Sequence, residues 1–273
     1  MAKTVLITGC SSGIGRATAR AFREEEWTVY ATARDTADVQ DLADIGCETA
    51  ALDVTDATQV EGVVDRIVEE QGRIDCLVNN AGYGQFGPVE DVPTDVLHRQ
   101  FDVNLYGPHR LIRAVLPHMR ERESGRIVNV SSVAGRVSTP GMGVYCASKF
   151  SLEALTDALR NEVEPYDVEA VLVEPGPVET AFADRTDDQF APLDRSGAYE
   201  TIYRLYEDST VFGGQSPVAV TPDQVAEVIL EAGLTPDPEP RYPVGAFADL
   251  TLKARYLPDR LQDTAYGLLN RLL

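Results

Sequence analysis

Tyr145-Cys146-Ala147-Ser148-Lys149 sets a phenol and an ammonium group four residues apart. In a helix that spacing puts both side chains on one face. A free tyrosine has a pKa of about 10, too high to exchange a proton readily at neutral pH. A positive charge within about 4–6 Å favours the phenolate and lowers that value. The pair could therefore work as a general acid/base on a carbonyl or an alcohol. Such spacing also arises by chance in helices. Ser131-Ser132 strengthens it, because these residues close a β-branched run and bring a hydroxyl to the carboxyl edge of a sheet, where open α/β folds bind ligands.

A second constellation is Thr8-Gly9-Cys10-Ser11-Ser12-Gly13-Ile14-Gly15, between the strand-like run Val5-Leu6-Ile7 and a helical pattern. Glycines there let the backbone turn sharply and approach a diphosphate, which rests on the N–H groups of the helix N-terminus. Gly9, Ser11, Ser12, Gly13, Ile14 and Gly15 are the candidates for this role. The same turn matches G-x-S-x-G, the nucleophile elbow of serine hydrolases, so Ser11 is a rival nucleophile. That fold needs Ser, then Asp or Glu, then His in chain order. Here His98, His109 and His118 share one helical stretch, and the rival leaves Ser132, Tyr145 and Lys149 unexplained.

These groups need a frame, and the chain alternates short β-branched runs with helical patterns, the signature of a parallel sheet covered on both faces. Strands are expected at Thr4–Thr8, Thr28–Ala33, Glu48–Leu52, Asp75–Val78, Arg126–Val130, Val168–Val173 and near Tyr242–Val244. Helices are expected from about Ile14 to Glu25 and from about Val144 to Val163, with a long helical region between the fourth and fifth strands. Asp56 can cap another helix, which carries Val60, Val63, Val64, Ile67 and Val68 on one face. The expectation is a doubly wound α/β sheet of about seven strands with helices on both faces, as a single domain over 1–273.

Residues 181–221, with Phe182, Phe190, Tyr199, Tyr203, Tyr206 and Phe212, lack strand alternation and form a substrate-loop region. Those aromatic residues suit either an apolar substrate or ordinary core packing. A helical tail is expected over 246–273, with Leu261, Leu268, Leu269 and Leu272 at helical spacing.

Composition narrows the class. Twenty-four basic against 44 acidic residues give a net charge of −20, and only Lys3, Lys149 and Lys253 are lysines. Such a surface repels nucleic acid and anionic membrane. It resembles the proteins of extreme halophiles, with an ordinary acidic bacterial protein as the alternative. No run approaches the roughly 18 apolar residues of a membrane span. Met1-Ala2-Lys3-Thr4 enters the first strand with no room for a signal peptide, so the expected location is the cytoplasm. Cys10, Cys47, Cys76 and Cys146 have no metal-ligand spacing and are expected to be reduced; no metal is expected.

Beside the TGxxxGxG turn and the YxxxK pair stand Leu52-Asp53-Val54, Asn79-Asn80-Ala81-Gly82, Asn104, Ser132 and Pro175-Gly176-Pro177-Val178-Glu179-Thr180. In order and spacing the set resembles the short-chain dehydrogenase/reductase family over roughly residues 4–180, which implies a Rossmann-type fold. The resemblance implies that Tyr145 is the acid/base, that Ser132 orients the substrate oxygen, and that Lys149 holds the nicotinamide ribose and lowers the tyrosine pKa. It implies that Asn104 holds a relay water, unless it only caps or kinks its helix. Asp53 and Val54 would flank adenine, Asn79 and Ala81 would border the cofactor, and Thr180 would hold the carboxamide. Gly82, Pro175, Gly176 and Val178 are counted with them as cofactor-binding. Asp53 as a plain turn cap and Thr180 as plain loop stay open.

Family spacing puts the residue that selects NAD eighteen positions after Gly15, at Ala33. The acid that would bond the ribose 2′-hydroxyl is missing, and Arg34 follows with a charge suited to a 2′-phosphate. NADP(H) is expected, with NAD(H) as the alternative through the neighbouring Asp35. Val29–Arg34 and Asn80–Gly84 with Gly87-Pro88 look most like the hydroxysteroid and retinol dehydrogenase branch, so the expected substrate is an apolar ketone or secondary alcohol. The resemblance also implies a homodimer or homotetramer through the helices holding Asn104 and Tyr145. A cofactor-binding regulator without turnover is the other class, but it has no use for an intact Ser132, Tyr145 and Lys149.

Overall fold

The computed structural model describes residues 2–180, 193–207 and 218–264. Its β-branched runs form β1 (Thr4–Ile7), β2 (Thr28–Ala33), β3 (Glu48–Ala51), β4 (Cys76–Asn79), β5 (Gly125–Val130), β6 (Val168–Pro175) and β7 (Arg241–Val244). They pair in one seven-stranded sheet in the order β3-β2-β1-β4-β5-β6-β7, every pair parallel. The order reverses between β1 and β4, which opens a crevice at the carboxyl ends of these strands where such sheets bind ligands.

The helices are α1 (Gly13–Glu24), α2 (Gln40–Asp44), α3 (Ala57–Gln71), α4 (Thr94–Phe101), α5 (Gly107–Glu121), α6 (Gly143–Val163), α7 (Glu200–Glu207), α8 (Pro222–Leu234) and α9 (Ala246–Ala254). Successive strand side chains point to opposite faces, and a parallel sheet needs both faces covered. Val5, Ile7, Val29, Ala31, Val128 and Val171 accordingly pack with Phe22 of α1 and with Val225 and Ile229 of α8. Leu6, Tyr30, Leu77, Ile127 and Ala170 pack on the other face with Val60 and Ile67 of α3, Leu111 and Val115 of α5, and Leu159 of α6. Two apolar layers hold the sheet.

The expected strands and the three located helices are present, with ends shifted by one or two residues. Asp56 caps α3 as expected, its carboxylate accepting from the Thr58 and Gln59 N–H groups. Gly72 ends that helix in a left-handed conformation, φ 69°, which glycine adopts without a Cβ penalty. Three helices are new. In α7 the signal was Tyr199, Tyr203 and Tyr206, whose four- and three-residue spacing is helical. At α8 it was Thr221-Pro222-Asp223-Gln224, whose Thr221 and Gln224 close a capping box. The short α2 had no periodic signal to find. Phe182, Phe190, Phe212, Leu268, Leu269 and Leu272 lie outside the described residues. Among the described residues no helix is long and apolar enough to cross a membrane, and the four cysteines are buried and free.

Candidate active site

The glycine turn lies at the carboxyl end of β1, held by side chains from the strand beside it. Thr8 Oγ accepts from the N–H groups of Asn80 and Ala81, both at 3.0 Å. Asn80 Nδ2 donates to the carbonyls of Thr8 at 2.8 Å and Gly9 at 3.1 Å. Gly9 sits at φ +74°, where a Cβ would lie 2.8 Å from Ala81 Cα, and a Cβ on Gly15 would collide with the Gly9 carbonyl. Only glycine fits either position. Ser12, at the N-cap of α1, makes no side-chain cap, and the first turn carries no acid. The positive end of α1 is thus open to an anion, with Ser11 and Ser12 exposed and Ile14 packed against the core. Thr180 comes back over this turn, its Cγ2 3.0 Å from where a Gly13 Cβ would stand. These residues fit a dinucleotide diphosphate. Thr8 and Asn80 were missed as site residues. The polar Thr8 before the first glycine was the available signal.

Arg34 follows β2 and is exposed, while the Asp35 carboxylate accepts from Ala37 N–H at 2.9 Å and caps a 3-10 turn. Asp53 accepts from the Thr55 N–H at 2.9 Å and hydroxyl at 2.7 Å. Burial works to raise the Asp53 carboxyl. The Thr55 bonds and the charges of Arg34 and Arg110 overcome it and hold the group below its ordinary value. Arg34 and Asp53 thus share the outer edge of the crevice. Val54 is buried and backs onto Gly107. Asn79 turns inward, donating to Asn129 at 2.8 Å, and Asn129 donates to Thr156 at 2.8 Å. Pro175, Gly176 and Val178 lead from β6 to Thr180, with Val178 bridged to Val220.

Tyr145 and Lys149 stand one turn apart on α6, both buried. Ser132 follows β5, hydrogen-bonds Tyr145, accepts from Ala134 N–H at 3.1 Å and donates to the Pro175 carbonyl at 3.4 Å. The structure brings together the three side chains that the spacing singled out. One expectation about them is corrected. Burial pushes the Tyr145 phenol above its ordinary value, only partly opposed by the Ser132 bond. Lys149 does not reverse this, because its Nζ donates to the Val130 carbonyl at 2.8 Å and lies 5.9 Å from the centre of the tyrosine ring. Burial also pulls Lys149 itself down to about 8, against the negative charge of Glu153.

Asn104 lies in a single π-helical turn, Asp102–Tyr106, between α4 and α5; such turns gather at functional sites. Its Oδ1 accepts from Tyr83 N–H at 3.1 Å, and its Nδ2 donates to the Tyr83 carbonyl at 2.9 Å and to Ser148 Oγ at 3.1 Å. The side chain is a strut joining α6 to the loop after β4. Gly82 lies beside it, a Cβ there falling 3.2 Å from Asn104 Oδ1.

An aromatic wall faces Tyr145. Phe86 meets the Tyr145 ring edge-on at 6.3 Å and stacks on Tyr206 at 5.5 Å, within a cluster that includes Tyr203 and Ala134. The hydroxyls of α7 and the residue before it tie to the body, Tyr199 to Glu90 at 2.6 Å, Tyr203 to Asp91 at 2.8 Å and Tyr206 to the Pro140 carbonyl at 2.7 Å. Tyr203 and Tyr206 pack within this cluster, and the three hydroxyls anchor the segment to the body. Ser11 lies apart from the histidines in sequence, with His98 on α4 packed against Tyr106 and His109 and His118 on α5.

The family profile described as short chain dehydrogenase matches residues 3–190. Human 17-beta-hydroxysteroid dehydrogenase type 1 is 40% identical over 260 residues, 89% of this chain and 77% of that protein. The uncharacterized oxidoreductase YbbO of Escherichia coli is 34% identical over 270 residues, 96% and 93% of the two chains. The crystal structure of a short-chain dehydrogenase from Streptomyces avermitilis superposes with a TM-score of 0.83 at 34% identity, covering 99% of this chain and 98% of that one. A Burkholderia phymatum short chain dehydrogenase/reductase in complex with NAD gives 0.82 at 26%, over 96% and 95%. A metagenomic short-chain oxidoreductase in complex with NADP gives 0.69 at 27%, over 89% and 96%.

Proposed function

The chain belongs to the short-chain dehydrogenase/reductase family, and from that premise we propose that it is an NADP(H)-dependent oxidoreductase interconverting an apolar ketone and its secondary alcohol. The observation that carries the reaction is the meeting of Ser132, Tyr145 and Lys149 beside the open glycine turn. When bound, the nicotinamide supplies or accepts the hydride. The chain does the rest. Tyr145 gives a proton to the carbonyl oxygen in reduction and takes one from the alcohol in oxidation. Ser132 holds that oxygen toward the phenol. Lys149 holds the ribose, and Gly9, Gly13, Gly15 and the N–H groups of α1 hold the diphosphate. The Asn104 side chain is occupied by Tyr83 and Ser148, so its main chain holds the relay water.

For the cofactor, support comes from Ala33 and Arg34 at the end of β2 and from Asp35, whose carboxylate is engaged in its own turn. For the substrate, it comes from the Phe86 and Tyr206 rings against Tyr145 and from likeness to a hydroxysteroid dehydrogenase. A groove on α6 and the turn before α5, lined by Leu105, Tyr106, Ser151, Ala154 and Leu155, supports assembly of like subunits. The test is a panel of steroid, long-chain and short polar carbonyls and alcohols, followed by nicotinamide absorbance with each cofactor. Faster turnover of the short polar members than of the apolar ones overturns the substrate reading; no turnover of any member overturns the enzyme reading.

We extend the proposal to the working environment, concentrated salt. Unscreened repulsion at −20 opposes the compact state, and the Debye length shrinks to about 3 Å near 1 M. Melting temperature is therefore expected to rise between dilute buffer and about 1–2 M chloride. A flat or falling trend in scanning calorimetry would count against the salt adaptation.

A further inference from the structure

Behind Lys149 lies a buried ionic cluster that the reaction as described does not use. Glu153 is one turn beyond Lys149 on α6, and Glu174 comes from β6 just before Pro175. Both are buried, Glu174 fully. Arg241 of β7 reaches Glu153 Oε2 and Glu174 Oε1, each at 3.2 Å. Arg136, after β5, reaches Glu174 Oε1 at 3.3 Å and Glu153 Oε2 at 4.0 Å. Asp157, a further turn along α6, holds Arg241 through both carboxylate oxygens at 2.7 Å. Arg255 reaches the backbone carbonyl of Arg136 and lies over the Phe150 ring. Ser131, just after β5, is a further polar neighbour.

Each glutamate thus has one oxygen on guanidinium groups. Glu174 Oε2 is buried with no hydrogen-bond partner among the described residues, while Glu153 has the Ser131 hydroxyl beside it. A buried carboxylate oxygen without a donor is costly, and two neighbouring carboxylates relieve that cost by holding a proton between them. Arg136 and Arg241 serve Glu153 and Glu174, while Asp157 is shared between Arg241 and Arg160, whose guanidinium lies 3.0 Å from Asp157 Oδ1.

We propose that Glu153 and Glu174 share one proton and act as a buried positioning pair behind Lys149, holding its ammonium charged once that proton has left. Burial and then the charge of Glu174 push the Glu153 carboxyl up to about 7, against Ser131 and Arg241. Lys149 is drawn down to about 8 by burial and held up by Glu153. As pH rises, the pair loses its proton first. The negative charge it gains then favours the lysine cation.

The role in turnover rests on Lys149 being the working cation of the proposed reaction; the shared proton does not, and can be read without turnover. The chain has three lysines, Lys3, Lys149 and Lys253, so carbon NMR of Cε-labelled lysine follows Lys149 against two exposed references. Glu153→Gln is expected to lower the Lys149 midpoint by roughly one pH unit or more, with Lys3 and Lys253 unmoved. An unshifted Lys149 overturns the proposal. In unaltered protein labelled at glutamate Cδ, one carboxyl, that of Glu153, should titrate near about 7 and return to the ordinary carboxylate range in Glu174→Gln. If every glutamate of the unaltered protein titrates in the ordinary range, the shared proton is overturned whether or not a variant folds. In kinetics the alkaline limb of kcat/KM should move to lower pH with Glu153→Gln. A shifted Lys149 beside an unmoved limb upholds the pair and sinks the role of Lys149 in turnover.

Discussion

Tyr145→Phe is expected to lower kcat by roughly 10²–10⁴-fold, the contribution of a positioned acid/base, while leaving cofactor affinity nearly unchanged. Phenylalanine keeps the ring that meets Phe86 edge-on and the packing within the aromatic cluster. The hydroxyl and its bond to Ser132 are lost. Steady-state kinetics with a fluorescence titration of the reduced cofactor separates the two quantities. Retention of more than about a tenth of the activity would remove Tyr145 from the acid/base role. Burial holds the phenol above its ordinary pKa, so at neutral pH it is protonated, the form that reduction needs. Oxidation needs the phenolate, and its rate should climb as pH rises.

The second large effect is on cofactor choice. Ala33→Asp/Arg34→Leu supplies the acid that bonds a ribose 2′-hydroxyl and removes the guanidinium that would meet a 2′-phosphate. A hydrogen bond to a charged group contributes about 1.5–3 kcal/mol, so NADPH affinity should fall by roughly 10–100-fold and NADH binding should tighten. The native Asp35 does not offset this, because its carboxylate is bonded to the Ala37 N–H. Parallel titrations of NADPH and NADH on both proteins decide the matter. Tighter NADH binding by the unaltered protein, or an unchanged preference in the double variant, contradicts the NADP(H) reading.

The sheet, the glycine turn and the Ser132, Tyr145, Lys149 set were legible because each is written in short-range pattern. Short β-branched runs mark the strands, glycines at fixed offsets mark the turn, and a four-residue spacing puts two side chains on one helix face. The segment carrying α7 was harder to read. Its tyrosines have helical spacing, but a mixture of aromatic and polar residues does not say which rings will meet an element far away in the chain. The Tyr203 hydroxyl bonds Asp91, 112 residues distant. Asn79 shows the same limit. The family resemblance implies that it borders the cofactor, and its side chain pairs with Asn129 of the neighbouring strand.

By itself the sequence determined the parallel α/β architecture, the place of the glycine turn and the helix face shared by Tyr145 and Lys149. Those follow from local periodicity and from residue types within a few positions of one another. Tertiary structure alone decided the charge states. It drove the Tyr145 phenol up and Lys149 down by dehydrating both. It also gathered Glu153, Glu174, Arg136 and Arg241 from separate elements into one buried cluster. The reason is physical: helix and strand periods depend on neighbours along the chain, whereas desolvation and Coulomb energy depend on what packing brings within a few ångströms.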